Sequence, residues 1–177
     1  MGWAVDGNHS QVGWAVQHYG ISIIHGYFKK FETTVNFEGD DPTRWAVEAT
    51  IDAASIESNC EQRDHHLRSA DYFDVEQYPT IAFKSTRVER QGGRGDEWGP
   101  YRVAGDLTIH GVTRPVALDL EYQGEARGSR GQQFRVFTTA LTVNRGDYGV
   151  GQPVAAGSTG VGEELTLTLQ IELVWAE

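Results

Sequence analysis

The chain predicts an all-β domain of about eight antiparallel strands, interrupted once by a short helix. Three observations carry this expectation. Apolar and polar residues alternate along most of the chain, 21 glycines cluster between the alternating runs, and only 59–74 departs from the period of two. At 177 residues it reads as a single domain, 1–177, large enough to close one core.

In chain order, Val12, Trp14, Val16 and His18 share one strand face, with Gly13, Ala15 and Gln17 behind it. A strand is expected near 28–37. In the next, Trp45, Val47, Ala49, Ile51 and Ala53 oppose Ala46, Glu48, Thr50 and Asp52. The 59–74 segment is dense in charge and histidine and reads as helix. Ser58 or Asn59 would supply the N-cap, and Glu61 or Gln62 the capping-box partner.

Further strands are expected near 79–89, 101–110, 113–124 and 133–145. His110-Gly111 lies between two of them as a tight hairpin turn. Pro115 lacks a ladder donor and belongs at a strand start or a bulge. The glycine-rich stretches 91–99 and 124–131 read as surface hairpin loops. The uncharged stretch 149–162 is a longer loop, of a length often tied to function. In the last strand Leu165, Leu167, Leu169, Ile171 and Leu173 face one way, and Thr166, Thr168, Gln170 and Glu172 the other. A closed barrel and a two-sheet sandwich would both produce this alternation.

Fifteen basic and 25 acidic residues give a net charge of −10, and the basic residues form no run. Such a field repels nucleic-acid phosphate and anionic headgroups, so a nucleic-acid partner is not expected. No apolar run reaches membrane-spanning length, so stable membrane insertion is not expected either. Without a secretory pattern at its start the chain is expected in the cytoplasm, or in the periplasm if an N-terminal signal has been removed. Cys60 is the only cysteine and leaves no intrachain disulfide; it reads as a small residue at the helix start.

Catalytic patterns are weak. Asp64-His65-His66 matches the DHH signature of metal-dependent phosphoesterases, but those enzymes need further Asp motifs on an α/β sheet. Adjacent histidines on a helix also point roughly 100° apart. Neither these nor His9, His18, His25 and His110 have metal-ligand spacing, so no metal is expected. Ser10 beside His9 is sequence adjacency without a nucleophile elbow. Asn8-His9-Ser10 matches a glycosylation sequon. Gly149-Val150-Gly151 and Gly160-Val161-Gly162 lack the strand–turn–helix setting of a phosphate loop.

A series of short motifs carries more information together than any does alone. Trp3-Ala-Val-Asp6 leads to His9-Ser10. Ser55-Ile56 precedes Arg63-Asp64-His65 and Leu67-Arg68-Ser69. Asp71-Tyr72-Phe73-Asp74 runs through Tyr78-Pro79 to Ile81-Ala-Phe83-Lys-Ser85. Then come Gly105-Asp-Leu107-Thr108-Ile109-His-Gly111-Val112-Thr113-Arg-Pro115-Val116 and Asn144-Arg145-Gly-Asp147-Tyr148-Gly149. In this order, from about residue 3 to about residue 173, the series closely resembles the YceI-like family of lipocalin-like, polyisoprenoid-binding barrels.

The resemblance implies an up-and-down antiparallel barrel with a helical insertion near 59–74, a homodimer, and a long apolar lipid inside, a polyisoprenoid or isoprenoid quinone. It implies non-catalytic storage or transport, with no other cofactor. Under it Trp14, Val16, Phe28, Phe31, Phe83, Ile109, Leu165 and Leu167 would line the interior. Phe73 would also contact the ligand, and His18, His65 or Arg68 would hydrogen-bond the lipid head. Asp64, Arg68, Asp71 and Asp74 have a second reading, as an ion-pair network tying the helix to the barrel with Arg145 and Asp147 as partners, Leu67, Tyr72 and Phe73 then plugging the barrel's end. The alternatives for the whole chain are an isomerase or hydrolase using the same cavity, and a filled barrel with a structural or stress-response role.

Overall fold

The structure, a computed structural model, describes residues 2–37, 41–92, 98–152 and 160–176. Along the chain run β1 (Gly2–Val5), β2 (Gln11–His18), β3 (Ser22–Phe28), β4 (Phe31–Asn36), β5 (Ala46–Asp52) and β6 (Ile56–Glu57). The single α-helix among the described residues, α1 (Glu61–Arg68), is followed by β7 (Thr80–Arg90), β8 (Tyr101–Ile109), β9 (Val112–Arg127), β10 (Gln133–Asn144) and β11 (Val161–Ala176). The antiparallel ladder runs β4-β5-β7-β8-β9-β10-β11-β2-β3-β6, with β1 beside β11, in a strongly curled half-barrel.

Eleven strands stand where about eight were expected, and three interruptions account for the difference. β3 and β4 are one run broken at Lys29-Lys30. β5 and β6 are one run broken by a 3-10 turn at Ala53–Ser55. The two breaks face each other: the Lys29 N–H donates to the Ser55 carbonyl (3.1 Å) and the Asp52 N–H to the Lys30 carbonyl (3.0 Å). β1 and β2 lie in succession along β11, separated by a turn. The interruptions bend the sheet, so its end strands β4 and β6 continue directly from β3 and β5. Counted as runs, eight strands remain.

At the β8–β9 hairpin His110 (φ 51°) and Gly111 (φ 73°) both occupy the left-handed region, as a type I′ turn requires. Pro115 sits inside β9 opposite Asp106, a few residues past the turn. There β9 pairs with β8 alone, since its register with β10 covers only Glu121 to Arg127. A proline is tolerated where one side of the strand has no ladder. β9 runs on through 124–127, so the loop expected over 124–131 shrinks to its distal part; the irregularity at Gly124 is a β-bulge. Much of the loops expected over 91–99 and 149–162 lies outside the described residues.

The helix differs in its capping. Asn59 adopts a left-handed φ of 58°, and Cys60 is the N-cap without a side-chain bond. Ser58 instead gives its backbone N–H (2.8 Å) and its hydroxyl to the buried Asp64 carboxylate. The helix is therefore tied through Asp64, at the end of its first turn, rather than by a capping box.

The core divides into two clusters joined through Phe83, Leu141 and Leu169. One, at the helix end, holds Trp14, Phe28, Ile56, Phe73, Ile109 and Tyr148. The other, at the aromatic end, gathers Trp3, Phe37, Trp45, Trp98, Tyr101 and Phe137.

Candidate functional site

A cavity of about 150 Å³ runs between the two clusters. Twenty-eight residues line this small volume, so it is a slot rather than a chamber. Its wall follows from strand alternation: Leu165, Leu167, Leu169, Ile171 and Leu173 all contribute from β11, and Val47, Ala49 and Ile51 from β5. Among the described residues, Thr33 and Tyr101 are the only lining side chains that carry a hydroxyl, and no charged group lines the slot. Such a wall offers dispersion and water exclusion to an apolar guest and few hydrogen bonds.

Of the expected lining residues, Phe28, Phe31, Phe83, Ile109, Leu165 and Leu167 border the slot, and so does Phe73 from the segment after α1. Phe73 meets Phe28 edge-on, ring centres 6.1 Å apart, and Leu67 and Tyr72 pack on the same cluster. Trp14 and Val16 are buried in the core but do not border the slot. The Trp14 indole lies across Gly26 of the neighbouring strand, where a Cβ would collide with its ring and with the Glu57 carbonyl. That close approach holds the ring against the backbone.

The three expected head-group ligands are elsewhere. The His18 ring lies on Tyr19 (4.2 Å between centres), at the hairpin. His65 is exposed. Arg68 donates to the carbonyls of Ala54 and Ile56, both at 2.7 Å, and so fastens α1 to the break between β5 and β6. These carbonyls flank a break in the ladder, and a guanidinium fork reaches both at once.

The expected ion-pair network does not form as described. Arg145, 7% exposed, bonds not to the helix acids but to the carbonyls of Val150 (2.7 Å), Gly162 (2.8 Å) and Gln152 (3.2 Å). Arg63 bonds to Ser58, and His66 to Asp71 at 3.0 Å. Burial pushes the Tyr148 hydroxyl pKa up beside this cluster.

Sequence reasoning missed the aromatic end of the wall: Phe37, Trp45, Trp98 and Tyr101. Trp45 and Trp98 stack at 5.3 Å, and the Arg135 guanidinium lies 4.2 Å from the Trp3 ring centre and 4.1 Å from that of Trp98. Trp45 was visible as an inward residue of an alternating strand. Trp98 follows a glycine-rich stretch, and no periodicity marks it.

One further group joins residues that the spacing test could not bring together. Asp6, His9 and Glu172 bring three potential ligand atoms within 4.8 Å of one another. Glu172 is far away in sequence, so spacing could not show it. As it stands the group is an ion pair: His9 Nδ1 lies 2.8 Å from the Asp6 carboxylate and 3.8 Å from Glu172. The hydrogen bond lowers the Asp6 pKa and raises that of His9.

A comparison with known proteins agrees with this architecture. The family model described as the YceI-like domain matches residues 3–173. A UPF0312 protein of Pseudomonas putida is 36% identical over 154 residues, 87% of this chain and 78% of the relative. Among solved structures, Burkholderia cenocepacia BcnA matches with a TM-score of 0.82 at 24% identity, covering 95% of this chain and 98% of that one. A polyisoprenoid binding domain from Saccharophagus degradans, implicated in plant cell wall breakdown, matches with a TM-score of 0.72 at 14% identity, covering 98% of each. The half-barrel with its apolar slot and the full-length match together place this chain in the YceI-like family.

Proposed function

We propose that the protein binds one thin, chain-like apolar lipid in the slot, a polyisoprenoid or the tail of an isoprenoid quinone, for storage or transport rather than catalysis. The carrying observation is the continuous apolar wall from Phe73 and Ile109 to Trp45 and Trp98. A narrow slot of this kind suits an extended prenyl tail better than a bulky ring system. Each five-carbon unit moved from water gains roughly 4 kcal/mol before ordering costs, at about 0.8 kcal/mol per carbon. The structural neighbour named for polyisoprenoid binding supports the same reading. That no charged group lines the slot among the described residues favours binding over acid–base catalysis. The protein is proposed to act as a homodimer. Among the described residues no helix is long and apolar enough to cross a membrane.

Mass spectrometry of an organic extract, followed by titration with a prenyl alcohol, tests the proposal. One prenyl lipid per chain, lost in Leu167→Arg while circular dichroism is unchanged, is expected, because an unpaired charge in the slot is strongly unfavourable. An extract free of lipid together with no prenyl-alcohol binding would overturn it.

A further inference from the structure

We propose that strand β3 is an interface between two copies of this chain, joined edge to edge by antiparallel pairing over 22–26. This deepens the dimer part of the reading above and is independent of what the slot holds. β3 pairs with β2 along its whole length, but on its other side the register with β6 covers only Tyr27 and Phe28. Among the described residues, the backbone donors and acceptors of Ile23 and His25, which alternation turns away from β2, are therefore open. The neighbouring ends are covered: β1 lies against β4, and α1 against β6.

The open segment has none of the features that protect sheet edges. It holds no proline, no bulge and no lysine. Together with its immediate flanks it carries the most exposed large apolar residues of the described chain: Ile21 at 89%, Ile23 at 61%, Tyr19 at 55% and Tyr27 at 49%. Ile23 and Tyr27 share the outward face of β3, and Tyr19 and Ile21 extend the patch around the β2–β3 turn. A contiguous patch of this kind marks an interaction surface.

Two properties select a second copy as occupant. An open edge needs another strand, which a lipid surface does not provide, and two identical edges related by a two-fold axis pair antiparallel without further design. Charge points the same way. From Gln17 to Phe28 there is no Lys, Arg, Asp or Glu, in a chain of net charge −10. Two such chains repel over most of their surfaces and meet at least cost where both are uncharged, whereas an anionic membrane would face the full repulsion.

Sedimentation velocity across a dilution series, with hydrogen exchange at each concentration, tests this. The expected result is a dimer whose 19–28 peptides gain protection as concentration rises. Ile23→Lys should weaken dimerisation at least about tenfold while leaving prenyl-alcohol binding intact, which separates this inference from the slot reading. His25→Pro, which removes a donor on the open side, should act in the same direction. A wild-type chain that stays monomeric at every concentration would overturn the inference. So would a dimer unmoved by Ile23→Lys, or a monomer whose patch instead drives co-sedimentation with neutral phosphatidylcholine vesicles.

Discussion

The two ends of the barrel are closed by different chemistry. At the aromatic end, rings from β1, β8, β10, β11 and the segments between strands pack edge-on and stacked on one another, with Arg135 held between Trp3 and Trp98. At the helix end the closing contacts are directional: Arg68 on two carbonyls, Arg145 on carbonyls of the β10–β11 connection, Asp64 on Ser58. Many small dispersion terms share the load at the first end, so a single truncation costs moderately. At the second, carbonyls outside any ladder depend on one cation, and removing it leaves several buried acceptors unpaired at once. The difference teaches where each end is vulnerable.

The largest expected effect is at the helix end. Arg145→Met should lower stability by about 3 kcal/mol, from unpaired carbonyls around a buried site, read as a shift in the urea midpoint. A loss no greater than at an exposed arginine would erase the contrast. Next, Gly26→Ala should cost about 2 kcal/mol by overpacking, because the new methyl meets the Trp14 ring and the Glu57 carbonyl; near-ultraviolet circular dichroism should report the displaced indole.

At the aromatic end, Arg135→Ala should cost about 1 kcal/mol of cation–π interaction. It should change prenyl-lipid affinity more than Arg68→Ala does, because its ring partner Trp98 borders the slot and Arg68 does not. The reverse ranking in a titration would move the sensitive end to α1.

The smallest effect belongs to the Asp6–His9 pair on the outer face. Asp6 has a lowered pKa, so its contribution is full above the ordinary carboxylate value, about 3.9, and is lost as pH falls through the lowered one. His9 has a raised pKa, so its contribution is full below about 6.5 and is lost as pH rises through the raised one. Thermal midpoints of wild type and His9→Asn should differ most between these limits and converge on either side. A difference independent of pH would assign the pair a purely steric role.

Alternation made much of the slot legible, because a strand has only two faces and one of them must be buried. β11 is the clearest case: every apolar residue placed inward by its period borders the slot. His18 and Arg68 do not border the slot, and neither position is set by periodicity. His18 follows the inward series Val12, Trp14, Val16 but reaches the hairpin, where the wall ends. Arg68 is drawn aside by carbonyls that exist only because the ladder breaks at Ala53–Ser55.

The sequence by itself determined the all-β class, the run count, the single helical interruption, the His110-Gly111 turn and the family, since each rests on local period, local backbone preference or an ordered series of short motifs. Only the tertiary structure decided which inward residues reach the slot and which, like Trp14, lie against a neighbouring glycine. It also decided that Arg135 sits between two tryptophans, that Glu172 meets His9, and that β3 keeps an open edge. Each of these joins residues far apart in the chain through the bend and closure of the sheet, and that geometry is fixed by packing between strands rather than by the pattern along any one of them.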